Sequence, residues 1–270
     1  MIRELDSAGR LLPLLAGALF LHPLAALAGP PFVTDDPEPV KYRHWEVYIA
    51  SQNTKTADGW SGTAPHFEVN YGAFTNTQLH LIAPLAYDAP AVGVGHYGYS
   101  DTEIGFKYRF IQETDLCPQV GIFPLMEIPT GDPDKGLGSG YVQVFLPVWL
   151  QKDFGSWTVY GGGGYGINPG EGNQDWGYGG LVAQCQVSKK VLIGAEVYHR
   201  TAEEVGGRDD TAFNLGTIID FTHHHHLLLS AGCSIDGPTQ FQVYIAYQFT
   251  FGPHFFSKHR APHLWGGASH

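Results

Sequence analysis

The chain has 270 residues, 43% of them hydrophobic and only 15% charged, and its formal net charge is −11. That acidic balance excludes nucleic acid as a partner, because too few cations are present to neutralise phosphates. Three cysteines, Cys117, Cys185 and Cys233, supply neither a disulfide framework nor a zinc-ligand pattern. Cys185 and Cys233 fall within apolar stretches and read as small buried hydrophobes.

Residues 1–28 read as an export signal. Arg3 and Arg10 are offset by Glu4 and Asp6, residues 11–27 are apolar but broken by Pro13, His22 and Pro23, and Ala26-Leu27-Ala28 forms a cleavage site before Gly29. A membrane anchor is the alternative, although the stretch is short and proline-broken. Setting 1–28 aside removes two basic and two acidic residues, so the charge stays at −11. Residues 29–44 come next, and prolines at 30, 31, 37 and 39 keep this segment out of any hydrogen-bonded ladder.

Twelve strands are predicted from alternation, over 45–52, 67–73, 78–87, 102–111, 117–128, 141–151, 157–168, 176–187, 191–201, 211–221, 227–235 and 239–251. In the last, Phe241, Val243, Ile245, Tyr247, Phe249 and Phe251 share one parity, with Gln240, Gln242, Gln248 and Thr250 on the other. Successive strand side chains point to opposite faces, so one face is apolar and the other polar. Ile104, Phe106, Tyr108 and Phe110 likewise oppose Glu103, Lys107 and Arg109. The sixth strand is ambiguous, because Phe145 and Trp149 sit opposite Val144, Leu146, Val148 and Leu150. The glycine run 161–164 predicts a bend or a close backbone approach.

No apolar run beyond residue 28 reaches the roughly 20 residues of a membrane helix. A membrane home therefore requires a closed barrel, since an open sheet leaves backbone groups unsatisfied in lipid. The mean hydropathy of −0.12 is compatible with this, because lumenal and lipid-facing residues average out along each strand. The links after even-numbered strands are short (74–77, 112–116, 152–156, 188–190, 222–226). Those after odd-numbered strands are mostly longer and rich in Gly, Pro and Asp (53–66, 88–101, 129–140, 169–175, 202–210), with 236–238 the exception. Short turns on one rim and long loops on the other are the pattern of outer-membrane barrels. The expected architecture is all-β: one up-and-down antiparallel transmembrane barrel of about twelve strands over 45–251, with periplasmic termini. A flexible, histidine-containing tail follows at 252–270.

Several ordered motifs carry a family resemblance. They are Gly29-Pro30-Pro31-Phe32-Val33-Thr34-Asp35-Asp36-Pro37-Glu38-Pro39 and Trp45-Glu46-Val47-Tyr48, then Pro129-Thr130-Gly131-Asp132 with Lys135-Gly136-Leu137-Gly138. Trp157-Thr158-Val159-Tyr160-Gly161-Gly162-Gly163-Gly164-Tyr165 completes the set. With them the chain resembles the outer-membrane barrel family assigned to transport in the MetA pathway of phenol degradation. The resemblance implies an outer-membrane barrel with a transport role, often beside catabolic pathways for aromatic compounds. The tail departs from the usual ending at a terminal aromatic, for which Phe249 or Phe251 would stand.

Strand parity places Glu103, Lys107, Arg109, Glu127, Glu196, Arg200 and Asp220 in the lumen, where they either pair to rigidify the wall or line a selective path. Asp35, Asp36 and Glu38 either belong to a loose periplasmic lead-in or plug the lumen by meeting Lys107 or Arg109. Thr130, Asp132 and Asp134 lie on an outer loop and read as turn chemistry, since a calcium loop needs more regularly spaced oxygen ligands. The run His223–His226 allows at most a weak adventitious metal site. No metal or cofactor is expected. Ser230 with His226, or Ser100 with His199, lacks a hydrolase motif. The expected function is facilitated diffusion of a small solute, possible aromatic substrates included, across the bacterial outer membrane. Partners are outer-membrane lipids, the solute and, during insertion, the barrel-assembly machinery. A barrel hydrolase acting on lipid esters and a soluble periplasmic β-sheet binding protein are the alternatives.

Overall fold

The computed structural model describes residues 30–253 and 255. The signal expected at 1–28 lies outside the described residues, as does nearly all of the tail after Pro253.

Among the described residues, fourteen strand segments form one antiparallel sheet. They are β1 (Trp45–Lys55), β2 (Gly59–Phe74), β3 (Thr77–Pro90), β4 (His96–Tyr99), β5 (Thr102–Ile111), β6 (Gln119–Ile122), β7 (Leu125–Ile128), β8 (Gln143–Phe154), β9 (Trp157–Ile167), β10 (Trp176–Ser188), β11 (Val191–Arg200), β12 (Asp210–Asp220), β13 (His225–Asp236) and β14 (Phe241–Phe251). β4 and β5 pair in succession with β3, and β6 and β7 both bridge β5 to β8. Each of these two pairs is one broken stave, so the barrel has twelve staves. Trp45 opposite Phe251 closes the seam between β1 and β14 and sets both ends of the barrel on one rim.

The two faces meet different surroundings. On β14, Phe241, Ile245 and Tyr247 are 40–47% exposed, whereas Ala246 and Gln248 are buried. Leu215 on β12 is 61% exposed beside the buried Asn214, and the exposed Ala195 and Val197 on β11 flank the buried Glu196. Among the described residues, no second layer of protein covers the outward set. So continuous an apolar band cannot face water and is matched to hydrocarbon. The inner face is mixed: Tyr48, Ala50, Leu192, Ile218, Leu228 and Ala246 form an apolar cluster on the wall between β11 and β1.

Several expectations are corrected. The long loops expected at 53–66 and 88–101 are largely strand, because β1, β2 and β3 run past the membrane-length core and leave tips only at 56–58 and 91–95. The stave expected over 117–128 breaks at Phe123-Pro124, where proline has no N–H to give to the ladder, though its carbonyl still accepts from Phe106. The glycine run 161–164 does not bend β9, which is unbroken. Instead aromatic rings lie over its inner face: a Cβ on Gly164 would come within 2.7 Å of the Phe145 ring, and one on Gly162 within 3.0 Å of Trp149. Cys185 and Cys233 are partly exposed on the outward parity, not buried.

Candidate functional site

Residues 30–40 run inside the barrel and 41–44 turn, exposed, at the rim before β1, with no strand or helix of their own. Prolines deny this stretch a ladder, so side chains of the wall satisfy its backbone instead. The amides of Val33 and Thr34 donate to the two carboxylate oxygens of Glu196, and the Val40 amide donates to Gln78 Oε1 at 2.9 Å. The Ser230 hydroxyl donates to the Pro31 carbonyl. Phe32 wedges against Gly194 and Gly216, where any side chain would collide with its ring, and packs with Tyr160 and Val182. Thr34 and Asp36 are wholly buried, and the Thr34 hydroxyl lies 2.9 Å from that of Tyr178.

Charge fixes the middle of the segment. Lys107 Nζ lies 2.9 Å from Asp35 Oδ1 and 3.4 Å from Asp36 Oδ2, and 5.0 Å above the Phe123 ring. Arg109 lies 3.9 Å from Glu38, donates to Gln119 at 2.8 Å and to Asn76 Oδ1 in the β2–β3 turn at 3.1 Å. Burial alone would raise the Asp35 carboxyl, but Lys107 outweighs it and holds Asp35 below the usual carboxylate range. Asp36 is pushed well above that range, because burial and the neighbouring Asp35 charge together outweigh the same lysine.

Two cavities flank the segment. One of about 690 Å³ opens at the rim carrying the termini, among Trp45, Phe251, Lys189, Lys190 and His223. The other, about 220 Å³, lies deeper, between residues 30–35 and the wall formed by His66, Glu68, His80, Glu103, Gln242 and Tyr244. Pro30, Asp35, Glu68 and Phe123 line both, so these four side chains form the partition.

At the opposite rim the loop after β7 folds inward. Asp101 accepts from the amides of Gly131 and Ser139 and from the Ser139 hydroxyl, and Leu137 is buried against Gly98. Thr130 bonds Thr102 and the Ser100 carbonyl, while Asp132 pairs with Lys135 on the surface. Asp134 sits in the short 3₁₀ turn Pro133–Lys135. Beside this mouth Phe145 stacks on Trp176 at 4.9 Å and Tyr178 on Tyr198 at 5.7 Å.

The other lumenal candidates are spread along the wall. Glu103 bonds His80 Nε2 at 2.8 Å and faces Glu127 across the β5–β7 ladder. Asp220 bonds His226 at 2.6 Å near the termini, and Arg200 pairs with Glu203 at the mouth. Among the described residues, no group of three or more His, Cys, Asp or Glu is placed to hold a metal. Ser230 is committed to Pro31 and His226 to Asp220, so they form no serine–histidine pair. The motif reading passed over Glu46, His66, Glu68, Asn70, His80 and Tyr244. Parity alone would have found them, since each sits opposite an outward apolar neighbour on its strand.

The sequence matches no protein-family model and no curated protein. Among solved structures, the fold is similar to that of the COG4313 outer membrane channel from Pseudomonas putida F1. The TM-score is 0.67 at 16% identity, over 80% of this chain and 98% of that one. The CymD monoaromatic hydrocarbon channel (TM-score 0.43, 9% identity, 80% of this chain and 90% of that one) shares less. So does the Acinetobacter baumannii outer membrane protein Omp33 (TM-score 0.40, 12% identity, 78% and 100%). At these identities the likeness is one of fold.

Proposed function

We propose that this protein is an outer-membrane channel that passes a small solute by facilitated diffusion, its bore narrowed by residues 30–44. One observation carries the reading: two cavities on either side of that segment share four lining side chains, inside a barrel whose outer face suits lipid. The fold shared with a protein described as an outer membrane channel supports it. The rim with the termini is assigned to the periplasm and the rim with the Asp101-held loop to the outside. The stacked rings of Phe145, Trp176, Tyr178 and Tyr198 at the outer mouth favour an aromatic solute. Wall charges such as Glu127 and Arg200 act as an electrostatic filter, and the reading assigns no catalysis.

Planar-bilayer recording of the refolded protein tests this. The full-length mature chain should give discrete conductance steps, and deleting residues 29–39 should enlarge them. Absence of steps in both would remove the channel reading, and equal steps would remove the narrowing role of the segment.

A further inference from the structure

The deeper cavity is lined by Asp35, Glu68 and Glu103 and by no lysine or arginine. Lys107, just beyond it, is fully engaged by Asp35 and Asp36, so no ammonium is left over to attract an anion. Glu68 and Glu103 flank a single imidazole. Asn70 gives its amide N–H to Glu68 at 2.7 Å, which turns its carbonyl oxygen towards His80 Nδ1, also at 2.7 Å. His80 Nε2 meets the Glu103 carboxylate at 2.8 Å. Both ring nitrogens therefore face acceptors, and the ring satisfies them only as a doubly protonated cation. One positive charge set against two carboxylates leaves a negative charge in excess.

The remaining walls mix neutral polar side chains such as Gln52, Asn214 and Gln242 with aromatic ones. Phe32, Phe123 and Tyr244 line the same cavity. The rings of His80 and Phe123 meet at right angles at 5.1 Å, and Lys107 stands over the Phe123 ring, so its π-face already accommodates a cation. The Tyr244 hydroxyl is buried and has no hydrogen-bond partner among the described residues. The vestibule at the rim differs, because Lys41, Lys107, Lys189 and Lys190 nearly balance its acids. Discrimination by charge therefore belongs to the deeper cavity and to the Asp35–Glu68 partition.

Resting on the channel reading, we infer that the passage selects cations and that the cavity between Phe32 and Tyr244 binds a small organic ammonium ion, held by the Glu68–Glu103 pair and the aromatic walls.

Bilayer recording across a KCl gradient tests the selectivity. The reversal potential should show potassium preferred over chloride by about twentyfold or more, since one uncompensated charge at contact distance in water enriches the cation and depletes the anion by about fivefold each. Benzylammonium chloride should block the current, while neutral benzyl alcohol at equal concentration should not. Both measurements use the wild-type protein, so they stand even if a variant fails to fold. The double variant Glu68→Gln with Glu103→Gln should bring the reversal potential close to zero and abolish the block. A conducting channel with no preference, or with a preference for chloride, overturns the inference and leaves the channel reading intact. Equal block by the alcohol and the ammonium overturns the ammonium site. A protein that never conducts removes both readings together.

Discussion

Lys107 and Asp35 lie 72 residues apart in sequence, yet the ammonium nitrogen of one sits 2.9 Å from a carboxylate oxygen of the other. The lysine projects from β5 into the lumen and pairs with both Asp35 and Asp36 of the segment. Removing one partner of a buried ion pair leaves the other charge unpaired in a poor solvent, which costs more than the pair itself contributes. Lys107→Met should therefore weaken docking of residues 30–44 by about 3 kcal/mol. Limited proteolysis in detergent should show faster cleavage within 30–44 while the barrel still migrates as a folded species on an unheated gel. Unchanged protection would rule out Lys107 as the anchor.

The two aspartates give docking a pH dependence of two signs. Lys107 holds Asp35 below the usual carboxylate range, so its contribution is present above the unfolded value and is lost as pH falls through the depressed one. Asp36 is raised, so burying it ionised carries a penalty that is relieved as pH falls through the raised value. The segment should thus be held best between the two values, loosen as pH rises through the raised Asp36 value and release as pH falls through the depressed Asp35 value. Protease protection of 30–44 measured across that range should pass through a maximum, and Asp36→Asn should flatten its alkaline side. A monotonic profile in the wild type would contradict the assignment.

Asp101 holds the inward loop through three accepted hydrogen bonds, from Gly131 N, Ser139 N and Ser139 Oγ. Asp101→Ala should leave those donors without their acceptor at a cost of about 2 kcal/mol, local to the loop. Cleavage of whole cells by an added protease between 129 and 142 should accelerate, with the temperature of barrel unfolding nearly unchanged. Equal unfolding loss and no added cleavage would place Asp101 in the wall and not in the latch.

The lumenal residues show how far local reading reaches. Glu103, Lys107 and Arg109 were assignable from their alternation with Ile104, Phe106, Tyr108 and Phe110, and the structure has them inside. Glu68, His80 and Tyr244 obey the same rule and were missed only because no motif drew attention to their strands. The rings over Gly162 and Gly164 were legible as a glycine run but not as its cause. A glycine shows that something approaches, whereas the approaching Phe145 and Trp149 come from another strand.

Strand parity is a property of neighbours in the chain, set by the pleat of each strand. The sequence by itself therefore determined that one set of side chains meets an apolar medium and the other a polar one, and that about twelve staves divide the chain. Contacts of residues 30–44 belong to a different scale. Glu196 meets Val33 across 163 positions and Ser230 meets Pro31 across 199. No local period carries that information, because the partners come together only after the barrel closes. Tertiary structure alone decided that the segment lies in the lumen and which wall side chains it meets.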